Sequence, residues 1–433
     1  MSSSPEGPVQ AATALAIRVA GAALVFGLQV LLARLLPEDG YGGFVTLWTW
    51  MLALGSFAAL GFAESSVRFV PRYHERGRGA ALRSYWRFGL LVVMGTGGAL
   101  AAIAAMLALG IGLDGPGMTV LLVALGLPVL GLEYYLEGVA RSLGWFRLAA
   151  VPVYILRPVL IGTTCILLSA GGVALTLPVI GAVLIGSMGL VALLMLLMLA
   201  RQLRGAAAGS TVTTVQQRRL WLRVSLPLLL LSGLDDLASY ADVLVLSLLV
   251  EPDVVGVYFA AVRALALAGF VAYAMALVSG RRFALDLAVA DRRALQSNML
   301  QSTRLTLWAT IVAVGLALLA GPLLLGAFGE AFVAGQGVMA IMGAGLVLRA
   351  MSGQAGEALI VLGRQREGLL VSFGVLVVTL ALSFVLVPEL GAEGAAIASA
   401  TAMACRTAAL AMLLWRSDRL RVLSFGLPSL SRA

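Results

Sequence analysis

Ten ionisable residues in this chain sit where apolar sequence surrounds them. They are Arg18, Arg157, Arg263, Arg349 and Arg406 against Glu133, Asp235, Asp236, Asp242 and Glu357. Charges of this kind cost at least ~2.5 kcal/mol each at the centre of a bilayer, so each needs a partner or a watery cavity. The two signs balance, which fits a mixed site that grips an anionic group and binds a coupling cation. Arg18, Arg157 and Arg349 have no acid at i±4 and come from different apolar segments, so they are candidates for binding an anion. Asp235 and Asp242 are seven residues apart with Ser239 between them, which puts all three on one helix face. Asp242 and Arg263 lie at similar distances from the turn at Pro252, so they are expected level with one another, as a structural salt bridge or as part of a pathway. Glu64 with Arg68, and Glu137 with Arg141, read as i,i+4 pairs near helix ends. Tyr134 and Tyr135, beside Glu133, are either interface anchors or platforms for a sugar ring.

Other chemistries lack their residues. His74 is the single histidine, so neither a Ser/His/Asp triad nor a His-ligated metal site can be assembled. All thirty basic residues are Arg, and without Lys there is no Walker A loop to hold a nucleotide. Cys165 and Cys405 are isolated in apolar stretches and read as packing residues. No cofactor or metal is expected beyond coupling to a proton or sodium gradient.

The segments that must position these charges are membrane spans. Of 433 residues, 61% are hydrophobic and 12% charged, and the mean hydropathy is +1.01. Soluble domains are nearer ~25% charged, so the chain is built for lipid. Its net charge of +9 marks topology and no nucleic-acid partner, because Arg gathers in alternate connections. Apolar runs of ~20 residues parse into about twelve transmembrane helices. Their approximate limits are 10–35, 41–69, 88–111, 118–140, 148–170, 174–200, 222–250, 254–280, 305–327, 334–362, 368–387 and 395–416. Acidic connections (Glu38-Asp39, Asp114, Glu251 to Asp253, Glu330, Glu389 with Glu393) alternate with basic ones (Arg72 to Arg87, Arg141 with Arg147, Arg201 to Arg223, Arg281 to Arg304, Arg364 with Arg366, and the tail from Arg416). The positive-inside rule then puts both termini in the cytoplasm of a bacterial inner membrane. The first ten residues have no basic n-region, so no cleaved signal peptide is expected.

An internal repeat divides the chain. Residues 35–69 shifted by 214 give eight identities, among them Asp39/Asp253, Gly55/Gly269 and Arg68/Arg282, where about three arise by chance. The expected organisation is two six-helix lobes, 1–205 and 206–433, related by a pseudo-twofold axis along the membrane normal. Arg18 maps onto Ser232, so spans one and seven are expected to present Arg18 to Asp235 and Asp236 at similar depth.

Several segments carry a resemblance: Leu32 to Phe44, its counterpart from Ala241-Asp242 to Tyr258, and Ala358 to Gly363 followed by Pro388 to Ala396. The chain resembles the polysaccharide flippases of the multidrug/oligosaccharidyl-lipid/polysaccharide exporter superfamily. That resemblance implies movement of undecaprenyl-pyrophosphate-linked oligosaccharide to the periplasmic leaflet by alternating access, with no chemistry on the substrate. It implies a cationic cavity for the pyrophosphate that includes Arg18 and Arg263, to which the residue reading adds Arg157 and Arg349 as further candidates. Glu133, Asp235, Asp236, Asp242 and Glu357 would be coupling or charge-pair residues. In the related lipid II flippases a first-helix Arg followed by a Gly helps line a cationic cavity, and Arg18-Val19-Ala20-Gly21 is similar. The implied partners are the lipid-linked oligosaccharide, membrane lipids and a polysaccharide polymerase. A cation-coupled drug exporter of the same superfamily, or a scaffold of a polysaccharide synthase complex, are the alternatives.

Overall fold

The computed structural model describes residues 6–204, 214–288 and 292–423. Among these residues the chain is helical, with no strand. It separates into two compact units, Met1–Leu237 and Ala238–Ala433. The sequence-based boundary at 205/206 follows the basic linker, whereas the break in packing falls further along.

The first unit contains α1 (Glu6–Leu35), α2 (Glu38–Ala58), α3 (Phe62–Glu75), α4 (Gly79–Ile111), α5 (Pro116–Ser142), α6 (Phe146–Val151), α7 (Arg157–Ala170) and α8 (Leu177–Arg204). It also holds the first part of α9 (Val215–Leu249). The second span is broken. Leu60 and Gly61 both adopt positive φ, 48° and 71°, and α2 and α3 meet there at 44°. Only a residue without Cβ fits at Gly61, because a Cβ would lie 2.2 Å from the Ser225 carbonyl oxygen of α9.

The fifth span is interrupted differently. Pro152 and Pro158 both lack the amide that a regular helix needs, and between them Pro152–Leu156 forms a π-helical turn. The Arg157 amide donates to the Pro152 carbonyl across this wide turn. The turn puts Arg157 at its C-terminal edge.

The core of this unit is aromatic. Phe62, Tyr85, Tyr135 and Trp221 are fully buried and packed on one another, with Tyr85 and Trp221 edge to face at 5.3 Å. Their polar tips are satisfied inside the cluster, as buried hydroxyls and indoles require. Ser225 donates to Ser65 at 2.7 Å, Ser65 and Tyr85 share a bond of 2.8 Å, and Trp221 donates to Tyr73 at 3.0 Å.

The second unit contains the rest of α9, α10 (Pro252–Ala288), α11 (Arg292–Leu319), α12 (Gly321–Phe328), α13 (Gln336–Ala350), α14 (Ala355–Val361) and α15 (Gln365–Asp418). The last of these is two spans in one run. Gly391 has φ 53° and ψ −127°, non-helical values that follow Pro388 by three residues and divide the eleventh expected span from the twelfth. Beyond α15 the chain turns back through Arg419, at φ 55°. Leu420 and Val422 then enter an apolar cluster with Phe283, Leu295, Met299, Leu359 and Leu414. Gln296 pairs with the Arg421 backbone in both directions, at 2.7 and 2.8 Å, and Arg364 holds the Asp418 carboxylate at 3.0 Å.

By length and apolarity, seven helices among the described residues can cross a membrane, or eight when α2 and α3 count as one bent span. The lipid-facing character is plain in α4, where Leu91, Met106 and Leu109 are more than half exposed. The chain is therefore an all-α polytopic membrane protein.

Candidate functional site

In the first unit the structure brings together two residues that the sequence left apart. Arg157 Nη1 donates to Glu133 Oε2 at 2.9 Å, with Glu133 fully buried and Arg157 nearly so. The guanidinium also lies over the Trp48 ring, 5.3 Å from its centroid. Arg157 is thus not a free anion-binding group, because its charge is met by Glu133 on α5. Spacing could not show this pairing, since the partners are 24 residues apart on different helices. Glu133 Oε1 has no hydrogen-bond partner among the described residues, so this buried pair is only half satisfied.

Tyr135 also departs from expectation. It is buried in the aromatic core and donates to the Trp86 carbonyl at 3.2 Å, which removes it as a platform for sugar. Glu137 and Arg141 form their i,i+4 pair at 3.8 Å, whereas Glu64 and Arg68 make no ion pair among the described residues. The Arg18 side chain, and so its juxtaposition with Asp235 and Asp236, lies outside the described residues. Asp235 is exposed and Asp236 is half-buried on the first-unit part of α9.

In the second unit, Asp242 and Arg263 are not paired. The buried Asp242 carboxylate accepts from Tyr258 at 2.5 Å, from Ser399 at 3.0 Å and from the Val243 amide at 2.8 Å. The acceptor capacity expected to meet Arg263 is therefore taken by hydroxyls of α10 and α15. Arg263 instead lies 4.4 Å from the Phe259 ring centroid, and its Nε is buried without an acceptor among the described residues. Tyr258 was legible in the sequence as a residue of the same hairpin. Ser399, 157 residues away from Asp242, was not.

A cavity of about 330 Å³ lies within this unit. Arg349 of α13, Arg406 of α15 and Glu357 of α14 all line it. No ion pair joins these three charges, so the site places two guanidiniums and one carboxylate around a shared polar space. Arg406 was visible in the sequence only as one of the deep charges. Its closeness to Arg349 depends on how α13 and α15 pack.

Comparison with known proteins identifies the family and the fold. A family model described as "Polysaccharide biosynthesis protein" matches residues 11–279. No curated protein sequence matches the chain. Solved structures share the fold at low sequence identity. An inward-facing multidrug resistance MATE family transporter of the MOP superfamily is 15% identical with a TM-score of 0.70, over 92% of this chain and 94% of that one. The lipid II flippase MurJ in an inward closed conformation is 14% identical with a TM-score of 0.69, over 93% and 87%. A MOP superfamily transporter from Pyrococcus furiosus with a binding pocket of reverse polarity is 15% identical with a TM-score of 0.63, over 93% and 94%.

Proposed function

Because the chain belongs to the polysaccharide biosynthesis protein family and has the fold of MOP superfamily transporters, we propose that it flips undecaprenyl-pyrophosphate-linked oligosaccharide from the cytoplasmic to the periplasmic leaflet. It does so by alternating access and performs no chemistry on the substrate. The observation that carries this reading is Arg263. A guanidinium at bilayer depth is costly, and the nearest expected acid is committed elsewhere. Its buried Nε waits for an acceptor, and the pyrophosphate of a lipid carrier supplies oxygens that a guanidinium binds well. An exporter of cationic drugs gains nothing from an unneutralised Arg at this position.

Asp242 is the coupling residue in this proposal. Its carboxylate is held by hydroxyls and has no basic partner among the described residues, so a coupling cation can bind it without breaking an ion pair. The polysaccharide polymerase is the partner that would consume the flipped product.

The test is translocation of a labelled undecaprenyl-pyrophosphate oligosaccharide in proteoliposomes, normalised to inserted protein. Arg263→Lys should slow transport about tenfold, and Arg263→Ala should slow it further, as the loss of a charge-assisted hydrogen bond predicts. Asp242→Asn should make the remaining rate indifferent to an imposed proton or sodium gradient. Wild-type rates in Arg263→Ala would refute the anion role. Efflux of a cationic dye by the wild type, with no lipid flipping, would favour the drug exporter.

The proposed orientation has its own check. In a variant lacking Cys165 and Cys405, cysteine at Asp114 or Asp253 should react with a membrane-impermeant thiol reagent in intact cells. Cysteine at Arg78 or Arg292 should react only after lysis. The opposite pattern would invert the topology.

A further inference from the structure

The two halves of α15 fold back on one another from the kink at Gly391. A straight helix would part Arg364 and Asp418 by about 80 Å at ~1.5 Å per residue, yet their side chains meet at 3.0 Å. Between the halves lies an apolar groove of about 390 Å³, lined by Leu370, Gly374 and Val378 of the first half and by Cys405, Ala409 and Leu413 of the second. Among the described residues, Glu367 is the one charged group in its lining. We propose that this groove holds a single acyl chain of an anionic phospholipid, with the headgroup phosphate set against Arg366 and Arg416.

Small side chains open the groove. An added Cβ at Gly374 would meet no atom within 4 Å, so nothing among the described residues fills the space beside it. Cys405, expected as a packing residue, is exposed in the groove, and Leu370 at its rim is 69% exposed. Both halves are membrane spans, and an apolar hollow between them stays dry and takes hydrocarbon. From Glu367 to Val378 the groove runs about 16 Å, half of a ~30 Å hydrocarbon core and so the depth of one leaflet. Spread over that length, its volume gives a cross-section of about 24 Å², which suits one alkyl chain. A helix, roughly 10 Å across, needs about three times as much, so a spanning segment of a second copy does not fit.

Charge gathers at one end of the groove. Arg366 stands one turn before Leu370 and Arg416 within a turn after Leu413, so each lies on the groove face of its helix. Both are exposed and form no ion pair among the described residues. The two acids nearby are already met, because Arg364 holds Glu367 at 2.8 Å and Asp418 at 3.0 Å. Two guanidiniums therefore stand without a counter-charge where the apolar lining ends. A phosphodiester headgroup supplies the oxygens that each planar fork binds. The groove is separate from the cavity between Arg349 and Arg406, and its occupant does not depend on what the protein transports.

Cys405 reports occupancy, since it lines the groove while Cys165 is buried. The purified full chain carrying Cys165→Ala is treated in detergent with N-ethylmaleimide, with phosphatidylglycerol or phosphatidylcholine added, and alkylation is followed by mass spectrometry. Phosphatidylglycerol should slow alkylation saturably, with half-protection at about a tenth of the concentration that phosphatidylcholine needs. Arg366→Gln combined with Arg416→Gln should erase the difference between the two lipids. Gly374→Leu places a side chain in the open space, and native mass spectra should show one fewer phosphatidylglycerol retained per chain. Equal protection by the two lipids in the otherwise wild-type chain, or unchanged retention in Gly374→Leu, would overturn the inference. Protection by an isoprenyl phosphate and not by phosphatidylglycerol would give the groove to a polyprenyl carrier, and dimers cross-linked through Cys405 would give it to a second copy. Either result would also overturn it.

Discussion

Replacing Arg157 by Ala is expected to destroy most of the folded protein, before any question of transport arises. The substitution strands the Glu133 carboxylate, which is fully buried and already has one oxygen unsatisfied. Breaking a buried ion pair from one side costs about 3–5 kcal/mol, a large share of the stability of most folded chains. The check is the monodisperse fraction in detergent, together with its Tm. Glu133→Gln combined with Arg157→Met keeps the volume and removes both charges, so most of the yield should return. If Arg157→Ala instead folds at wild-type abundance and only transport is lost, Arg157 belongs to the substrate path and its pairing with Glu133 is incidental. The sequence alone led to the opposite expectation, because no acid within one turn of Arg157 revealed the partner.

The second large effect is expected at Gly61. Gly61→Ala meets two penalties at once, a positive φ of 71° and a Cβ 2.2 Å from the Ser225 carbonyl oxygen. Together these are worth on the order of 2–5 kcal/mol. Gly77 provides the control, since its φ is 63° but no atom lies within 4 Å of an added Cβ. Gly77→Ala should therefore cost only about 1 kcal/mol, the conformational part. Comparison of the two Tm values separates backbone strain from steric overlap. Equal losses would mean that the close approach of α9 to the bend between α2 and α3 contributes nothing to stability.

The reading of the sequence succeeded where physics is local. Apolar run length and the spacing of Arg marked the helical segments. The Glu137–Arg141 pair follows directly from helical spacing. The reading failed where a residue's partner comes from another helix. Asp242 and Arg263 were expected level in a hairpin, as a salt bridge or as part of a pathway, and the salt bridge does not form. Height along a hairpin says nothing of which face each side chain takes, and Tyr258 and Ser399 hold the carboxylate instead. Tyr135 fails for the same reason, since a Tyr beside a charge looks available until α5 is packed against α4 and its ring enters the core. Arg349 and Arg406 share a cavity only because α13 packs on α15.

The chain's backward turn after α15 has a consequence for how the protein is made. Leu420 and Val422 are synthesised long after Phe283, Leu295 and Leu359, yet they complete the apolar cluster that those residues began. Until they have been translated, that cluster lacks its closing side chains and Gln296 lacks the peptide it pairs with. A chain truncated just before Arg419 therefore leaves apolar surface open, and quality-control proteases read such surface.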